Sequence, residues 1–584
     1  MINIKTWFKS LSERTTLMLL ALVTGFCCGC MAVLLKKLIE IIRGLLTGNL
    51  TTAWNWVYLL LPGVGMLISL LFVRYIIKDD IGHGVTKVLL AVSKEKSHIK
   101  PHNIWSSIAA SSVTIGFGGS VGAEAPIVYS GAAIGSNIAR WSGLPYKDIT
   151  ILLGCGAAGA VAGIFKAPLA GVLFTLEILL FNISMTSILP ILVSSLTATV
   201  VSYLFMDNTL AFSASLETFS MGNLPYYLVL GVFCGLMSLY FLRMTLWTED
   251  RMKSIARPFV RWIVGASLLG LLIFLFPPLY GEGYDSLGLM LNNSAVDVAG
   301  GIFGTGGRIA GSWGILAFFA AILLLKVFAT ALTNSGGGIG GTFGPTLFAG
   351  GVAGFVIARL INMTGIHVVP EANFVLVGMA GMMAGVMQAP LTAIFLIAEI
   401  TGGYSLLLPL IATSAISFAT MRHFEPYSIY SKRIARQGAL LTHDSDRAVL
   451  TLMSVKDVIE TDFATIRIDG CLGDVTRKVA HSKRNIFPVV DGENHILGII
   501  NLDDIRELMF ETEKYRSVKV ADLLKRVPAS VTCDEQMESV MHKFDVTGAW
   551  NLPVVDEYDS YIGFVSKSKI FSSYREQLHQ VSHD

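Results

Sequence analysis

Charged side chains are scarce in this chain. Asp, Glu, Lys and Arg together make up 15% of its 584 residues, compared with about a quarter in an average soluble protein. Seven cysteines are scattered with neither the spacing of a disulfide framework nor that of a zinc site, and no nucleophile–base pair is visible. The sequence therefore predicts no metal centre and no enzyme. With a net charge of only +2, it also gives no indication of nucleic acid as a partner.

Long apolar segments are abundant instead. Hydrophobic residues make up 53% of the chain, and apolar runs recur from Thr16 to about Phe418. Many of these runs are interrupted by Gly or Pro, or are shorter than the roughly 20 residues that a simple span requires. Broken apolar helices usually line a site or cavity, because unpaired backbone cannot face lipid. We therefore expect an integral protein of the plasma or inner membrane, embedded in a lipid bilayer. Basic residues before the first run and a charged C-terminal region predict that both termini are cytoplasmic.

One glycine-rich stretch, residues 116–135 (GFGGSVGAEAPIVYSGAAIG), contains a single carboxylate, Glu124. A glycine loop, then Pro126, then apolar periodicity is the pattern of a helix start. Backbone N–H groups at a helix start are unpaired and attract anions. Glu124 is thus predicted to lie where a small anion could also bind, and competition between the two is the centre of the functional hypothesis.

The membrane part contains two related halves. Residues 155–178 (CGAAGAVAGIFKAPLAGVLFTLEI) resemble residues 377–400 (VGMAGMMAGVMQAPLTAIFLIAEI). An upstream pattern recurs in the same order, with Gly122, Pro126, Gly131 and Gly135 matching Gly341, Pro345, Gly350 and Gly354. We predict a polytopic α-helical membrane domain over residues 1–421, with repeat halves of roughly 16–210 and 225–421. Duplicated halves of this kind indicate an ion or substrate site at their interface.

The composition becomes polar after Gly438. A linker is predicted over residues 422–452, followed by two copies of one pattern, residues 453–511 and 518–576, in which FPVVDGENHILGII and LPVVDEYDSYIGFV are equivalent. Each copy has the order short helix, short strand, helix, and two strands around a turn. The pattern indicates a small α/β domain in tandem.

Three further segments are candidates for an anion site. Residues 334–351 repeat the glycine loop of the first half, with Phe343 in place of the carboxylate. These glycines formally fit a dinucleotide loop, but apolar spans surround them instead of a βαβ unit. The turn IGHG contains His83 and Gly84, and an imidazole can donate a hydrogen bond to an anion; a turn histidine at the membrane surface is the alternative. Tyr430 follows the last apolar run, where a tyrosine by itself usually anchors the interface.

Together these segments resemble the CLC family of chloride channels and proton/chloride exchangers. GAEAP resembles the family motif G-[KR]-E-G-P, and GTFGP resembles G-x-F-x-P. KAPLAGVLFTLE, SIYSKRIARQG and a tail similar to paired CBS domains complete the match. The resemblance covers almost the whole chain. It implies a homodimer in which each subunit has its own anion path, between two inverted repeats whose broken helices direct their N-termini at dehydrated chloride.

By position in these motifs, the resemblance implies that Glu124 is an external gate, which occupies the anion site when charged and leaves it when protonated. Backbone amides and one tyrosine hydroxyl would then bind the central anion. The implied anion-binding residues are His83, Gly84, Thr342, Phe343 and Tyr430.

Three positions depart from the family pattern. His83 replaces the usual Ser, and Ala123 replaces the basic residue that usually precedes the gate. Ile178 stands where proton-coupled members commonly have an internal glutamate, and it cannot carry a proton. Glu177, beside it, resembles a residue shared by channels and exchangers and is expected to be a packed, hydrogen-bonded carboxylate.

The tail matches the nucleotide pattern of CBS domains incompletely. The first copy has Asp504 but Asn501 in the hydroxyl position, and the second has Ser566 but Lys569 in place of the acid. The resemblance implies an adenine nucleotide as a candidate cofactor at the CBS pair, with a structural, dimerising role as the alternative. No cofactor is expected to be required for transport.

We therefore predict CLC-type chloride transport gated by Glu124, and we favour proton-coupled exchange because the gate is titratable. A passive chloride channel is the alternative, because Ile178 removes the internal proton acceptor. A nucleotide- or pH-sensing membrane receptor and a fluoride-selective relative, the latter on account of His83, are further alternatives.

Overall fold

The structure is a computed structural model that describes residues 12–47, 57–179, 185–206, 217–292, 312–436 and 453–582. The chain divides into two compact units, Met1–Leu440 and Leu441–Asp584. Much of the predicted linker, residues 437–452, lies outside the described residues.

The first half of the membrane unit forms eight helices within the described residues. They are α1 (Glu13–Thr47), α2 (Val57–Leu71), α3 (Gly84–Lys94), α4 (Ser106–Gly116), α5 (Glu124–Trp141), α6 (Tyr146–Phe165), α7 (Pro168–Ile178) and α8 (Met185–Phe205).

The second half forms eight helices in the same order, again counting described residues only. They are α9 (Leu224–Lys253), α10 (Pro258–Leu275), α11 (Tyr284–Leu291), α12 (Ser312–Ser335), α13 (Phe343–Thr364), α14 (Glu371–Met387), α15 (Pro390–Ile400) and α16 (Leu407–Phe424). A short helix, α17 (Ile429–Ala435), follows.

The two halves repeat their packing as well as their helix order. Helix α5 packs on α6 as α13 packs on α14, and α1 packs on α8 as α9 packs on α16. The closest approaches need glycine at equivalent places. A Cβ on Gly131 of α5 would lie 2.3 Å from the carbonyl oxygen of Gly156 on α6, and one on Gly350 of α13 would lie 2.5 Å from that of Gly378 on α14. The predicted two-repeat architecture is confirmed.

Helices α7 and α15 are the short, broken members of their halves. Each starts at a proline, Pro168 or Pro390. Two residues before each proline the backbone is left-handed, at Lys166 with φ 56° and at Gln388 with φ 53°. Proline suits a helix start because it has no N–H to lose there. Eight described helices are long and apolar enough to cross a membrane, whereas α7 and α15 have only 11 residues each. The mixture of full and partial spans agrees with the predicted fold class.

The C-terminal unit consists of two copies of a three-stranded sheet with order β1-β2-β3 and β4-β5-β6. In each copy the first two strands are parallel and the last two antiparallel. The strands are β1 (Ile466–Arg467), β2 (Ile486–Val490), β3 (Ile496–Asn501), β4 (Val531–Thr532), β5 (Asn551–Val555) and β6 (Tyr561–Ser566). The accompanying helices are α18 (Val455–Val458), α19 (Leu472–His481), α20 (Leu502–Ile505), α21 (Val520–Leu523), α22 (Met537–Thr547) and α23 (Lys567–Ser582). The predicted order of short helix, strand, helix and two strands is present in both copies.

The two copies of this unit are joined by reciprocal backbone pairing. Ile499 in β3 exchanges hydrogen bonds with Lys525 of the second copy, and Phe564 in β6 exchanges them with Glu460 of the first. The turns between the last two strands are also equivalent, because Asp491 and Asp556 accept backbone N–H bonds at matching positions. The unit is therefore a tandem pair in structure as in sequence.

Candidate functional site

The loops that lead into α5 and α13 lie side by side. Gly122 donates its N–H to the carbonyl oxygen of Gly341 at 3.0 Å, and Gly341 donates to Gly122 at 2.7 Å. A Cβ on Gly341 would lie 2.8 Å from the Cβ of Ala125, so this approach requires glycine. The two helix starts, one from each half, therefore meet at the interface where the repeat predicts a site.

Glu124 bridges these two helix starts. It is the first residue of α5 and is 3% exposed. Its Oε2 accepts the N–H of Gly344, the second residue of α13, at 3.2 Å, and its Oε1 accepts the hydroxyl of Tyr284 at 2.5 Å. The carboxylate thus occupies the N-terminus of a helix from the other half, which is a place suited to an anion.

Two buried hydroxyls lie next to this helix start. Thr342 precedes α13 as its N-cap, and Tyr430 lies on α17 beside it. Within the described residues, neither Thr342 Oγ1 nor Tyr430 Oη has a hydrogen-bond partner of ordinary geometry. Buried hydroxyls normally have partners, so these two are candidate donors to an anion at this helix start. Phe343 is buried beside them, with its ring 5.6 Å from that of Phe165.

The turn with His83 and Gly84 approaches α5 through its backbone. A Cβ on Gly84 would lie 2.3 Å from the carbonyl oxygen of Ala125, the residue after the gate candidate. His83 caps α3 with a left-handed φ of 53°. Its imidazole Nε2 lies 3.9 Å from Oε1 of Glu249 on α9. The turn therefore reaches α5, while the imidazole reaches a carboxylate that the sequence motifs did not identify.

Ile178 is the last residue of α7 and is buried. Glu177, beside it, accepts the N–H of Leu391 at 2.9 Å and both the N–H and the hydroxyl of Thr392 at 2.7 Å. Its carboxylate is therefore bound to the start of α15, in agreement with the expected packed role. Neither residue offers a free acid at this end of α7.

Three polar residues near the gate were not identified from the sequence. Besides Tyr284, these are Glu282, whose Oε1 accepts the N–H of Ala123 at 2.9 Å, and Lys326. Lys326 is fully buried on α12, and its Nζ donates to Ser120 Oγ at 2.9 Å and to a backbone carbonyl at 3.0 Å. A lysine alone in an apolar helix and an acid within the run GEGYD were the available signals.

A cavity of about 280 Å³ leads to Glu124. Both acidic and basic side chains line it, among them Lys36, Arg43, Glu124, Glu282 and Asp285. Arg43 and Asp285 form an ion pair across it. The basic side chains that line this cavity, Lys36 and Arg43, both belong to α1, whereas Ala123 brings no charge.

In the C-terminal unit, the two candidate nucleotide residues have separate partners. Asp504 accepts hydrogen bonds from Lys525 Nζ at 2.6 Å and Asn501 Nδ2 at 3.0 Å, and these bonds hold the pKa of its carboxyl below the usual range. Ser566 donates its hydroxyl to Glu460 at 2.7 Å. A cavity of about 510 Å³ in this unit is lined by other residues, including His495, Arg526, Ser530 and Asp559. The described residues contain no group of His, Cys, Asp and Glu that could hold a metal ion.

Comparison with known proteins identifies the family of the chain. The family model "Voltage gated chloride channel" matches residues 64–422, and the CBS domain model matches residues 455–511 and 520–576. Chloride channel protein CLC-e of Arabidopsis thaliana is 25% identical over 562 residues, covering 84% of this chain and 76% of that protein. The H(+)/Cl(-) exchange transporter ClcA of Salmonella arizonae is 26% identical, covering 74% of this chain and 90% of its own length.

A solved structure has the same fold. The crystal structure of a slow cyanobacterial Cl-/H+ antiporter superposes with a TM-score of 0.62 at 21% identity, covering 73% of this chain and 98% of that one. The helix order, the paired helix starts and the matched family models lead to one assignment. The chain belongs to the CLC family of voltage-gated chloride channels and carries two CBS domains in its C-terminal unit.

Proposed function

We propose that this chain exchanges chloride for protons across the membrane and that Glu124 is the gate of its anion path. The supporting observation is the bond from the Gly344 N–H to Glu124 Oε2, because chloride would compete for the same helix start. A charged carboxylate holds this place, whereas a protonated one has lost the charge that retains it there. Proton binding and chloride entry are thereby linked at one side chain.

The central anion would bind beside Thr342 and Tyr430. Both hydroxyls are buried, and within the described residues neither has a hydrogen-bond partner of ordinary geometry, although the two approach each other; the first N–H groups of α13 lie alongside. These donors are neutral. They can replace the hydration of chloride without trapping it as a full positive charge would.

Family membership supports CLC-type chloride transport. Coupling of that transport to protons is the additional part of the proposal. The titratable gate and the similarity to ClcA, named an H(+)/Cl(-) exchange transporter, support it. A passive channel is favoured by a different observation, namely that Ile178 is apolar and Glu177 is bound to α15. The two candidates differ in whether protons move with chloride.

The test is a flux measurement on the purified full-length protein in liposomes. A chloride gradient is imposed, and internal pH is recorded together with chloride efflux. We expect uphill proton movement that is absent from Glu124→Gln. Chloride efflux without proton movement in the wild type would identify a passive channel in which Glu124 is only a gate, and the absence of both fluxes would favour a receptor.

The proposal also includes a homodimer, cytoplasmic termini and an adenine nucleotide at the CBS pair. Fluoride selectivity is a second candidate for the transported anion because His83 replaces the usual Ser. An equal ratio of fluoride to chloride flux in the wild type and in His83→Ser would exclude a role for His83 in that choice.

A further inference from the structure

Glu249 is a buried carboxylate that the gate mechanism does not use. It lies near the end of α9 and is 3% exposed. Among the described residues of the membrane unit, three carboxylate residues are buried: Glu124, Glu249 and Glu425. Glu425 is paired with Lys432. An ionisable group inside a membrane domain usually has a function. Glu249 also has a basic partner, Arg433, but it differs from Glu425 in that a histidine, His83, lies 3.9 Å from it as well.

The partner of Glu249 belongs to the helix that contains Tyr430. Oε1 of Glu249 lies 2.5 Å from Nη2 of Arg433, which is on α17 one turn after Tyr430. Arg433 is 7% exposed, and its Nε has no hydrogen-bond partner within the described residues. The guanidinium of Arg433 therefore donates one N–H to Glu249, while its Nε–H, which is also buried, is not used by that bond. The same guanidinium lies in the neighbourhood of the Tyr430 hydroxyl, which is proposed to bind chloride.

His83 connects this pair to the gate helix. Its Nε2 is 3.9 Å from Glu249, its side chain is 30% exposed, and α3, which it caps, packs against both α5 and α17. Gly84, the next residue, contacts the backbone of Ala125. The imidazole therefore faces Glu249, from which it could accept a proton, while the backbone of the same turn contacts the helix that begins with Glu124.

The charged groups around Glu249 and His83 determine when the acid can bind a proton. Arg433 and Lys253 face Glu249, and Asp80, which is paired with Lys87 at 2.8 Å, faces His83. The positive charge of Arg433 opposes protonation of Glu249 as long as the pair is intact. A chloride ion bound by the Tyr430 hydroxyl would add a negative charge in the neighbourhood of Arg433. The guanidinium would then oppose protonation of Glu249 less strongly, and the carboxylate would bind a proton.

We propose that Glu249 is the proton acceptor on the cytoplasmic side, in the role that Ile178 cannot perform, and that its proton uptake depends on chloride bound by the Tyr430 hydroxyl. A proton taken up from the solution converts the Glu249 carboxylate to the acid, and its transfer to the imidazole of His83 restores that carboxylate. When the proton moves on to Glu124, His83 becomes neutral again and Glu124 becomes the neutral acid, which returns to a carboxylate when it releases the proton on the opposite side of the membrane. This inference rests on the proposed exchange function.

The decisive variant is Glu249→Gln, with Asp250→Asn as its matched control. Asp250 is the next residue on α9 and pairs at 2.9 Å with Arg436, the residue that follows α17, but this pair is exposed. Both variants remove one carboxylate of α9 that pairs with an arginine. In liposomes, we expect Glu249→Gln to lower chloride-driven proton movement by roughly a hundredfold, as for the loss of a proton-transfer group, while Asp250→Asn keeps wild-type coupling. Glu249→Asp, which retains an acid, should restore part of the proton movement.

The outcomes separate this inference from the proposed function. Coupled transport in the wild type with unchanged coupling in Glu249→Gln would overturn the role of Glu249 and leave exchange standing. A wild type that moves chloride without protons would overturn both. If Glu249→Gln abolishes chloride efflux because Arg433 is left unpaired, the double variant Glu249→Gln/Arg433→Gln replaces the pair with two neutral amides. Chloride efflux without protons in that variant would support the inference, and coupled efflux would overturn it.

Discussion

Glu177 and Glu399 cap each other's helices. Glu177, near the end of α7, accepts N–H bonds from the first turn of α15, and Glu399, near the end of α15, accepts the N–H groups of Leu169 and Ala170 in the first turn of α7 at 3.1 and 2.9 Å. Each carboxylate thus satisfies orphan donors and meets the positive end of a helix dipole. The two short helices are held together by two equivalent contacts, one from each half of the repeat.

Loss of one such cap should destabilise the protein without changing its coupling. We expect Glu177→Gln or Glu399→Gln to lower the free energy of unfolding by about 1 to 2 kcal/mol, as for other helix caps. Thermal unfolding in detergent measures this as a lower Tm, with the exposed Glu95→Gln as control. A loss of proton movement at wild-type stability in Glu177→Gln would instead give this residue a part in transport.

The gate prediction concerns pH. Glu124→Gln mimics the protonated acid but keeps the size of the side chain, so chloride flux should lose its dependence on pH and stay at the level that the wild type reaches in acid. Flux is measured at a series of external pH values in the wild type, in Glu124→Gln and in Tyr284→Phe. The last variant keeps the titratable carboxylate and removes its 2.5 Å hydrogen bond, so its pH profile should shift but persist. An unaltered profile in Glu124→Gln would contradict the gate assignment.

Chloride affinity should depend on the Tyr430 hydroxyl. Tyr430→Phe removes one of the two unpartnered hydroxyls, and a hydrogen bond to a charged group contributes about 1.5 to 3 kcal/mol. Calorimetric titration of the purified protein with chloride should therefore show a Kd at least about tenfold higher. Tyr427→Phe, three residues earlier and exposed, is the control and should bind chloride as the wild type does. Equal affinities in both variants would mean that the central anion is held elsewhere.

The nucleotide prediction depends on Asp504. Adenine nucleotide binding to the full-length protein should be weaker by about tenfold in Asp504→Asn, because a carboxylate that accepts a ribose hydroxyl contributes more than an amide. Asp503→Asn, which alters the exposed neighbour paired with Arg506, is the matched control. Equal affinity in the two variants, or no binding to the wild type, would favour the structural role of this unit.

The pH dependence of the same site follows from the direction of its pKa shift. Bonds from Lys525 and Asn501 hold the pKa of Asp504 below its ordinary 3.8. Its contribution to stability is therefore present above pH 3.8 and is lost as the pH falls through the lower folded value. Between about pH 5 and 8, nucleotide binding should not vary on account of this carboxylate. A transition in that range that disappears in Asp504→Asn would contradict the shift.

Local motifs carried most of what the sequence could predict. The position of Glu124 followed from a glycine loop and a proline within ten residues of it, and the two halves followed from their repeated order. Tyr284, Lys326 and Glu249 were missed because each reaches the site from a different helix, far away in sequence. A sequence motif identifies residues within one segment of the chain. The residues that contact a buried charge are brought to it from distant segments by the tertiary packing of the helices.

Ala123 shows the same limit from the opposite direction. Considered by itself, the replacement of the usual basic residue by Ala123 predicts less positive charge beside Glu124 and therefore a weaker attraction for anions. The structure places Lys326 beside Ser120, two residues before the paired glycine, and Lys36 on the wall of the same cavity. The field at the gate is a sum over several elements, so a single substitution in one motif could not predict it.

The paired glycines before α5 and α13 restrict how the transporter can move. Gly122 and Gly341 join the two halves through a reciprocal pair of backbone bonds, directly in front of both helix starts. A movement of one half away from the other would break the two hydrogen bonds between Gly122 and Gly341. It would also separate the starts of α5 and α13, which together form the proposed anion site. Under the proposed function, rotation about the side-chain torsions of Glu124 would open the anion path and leave these two backbone bonds intact.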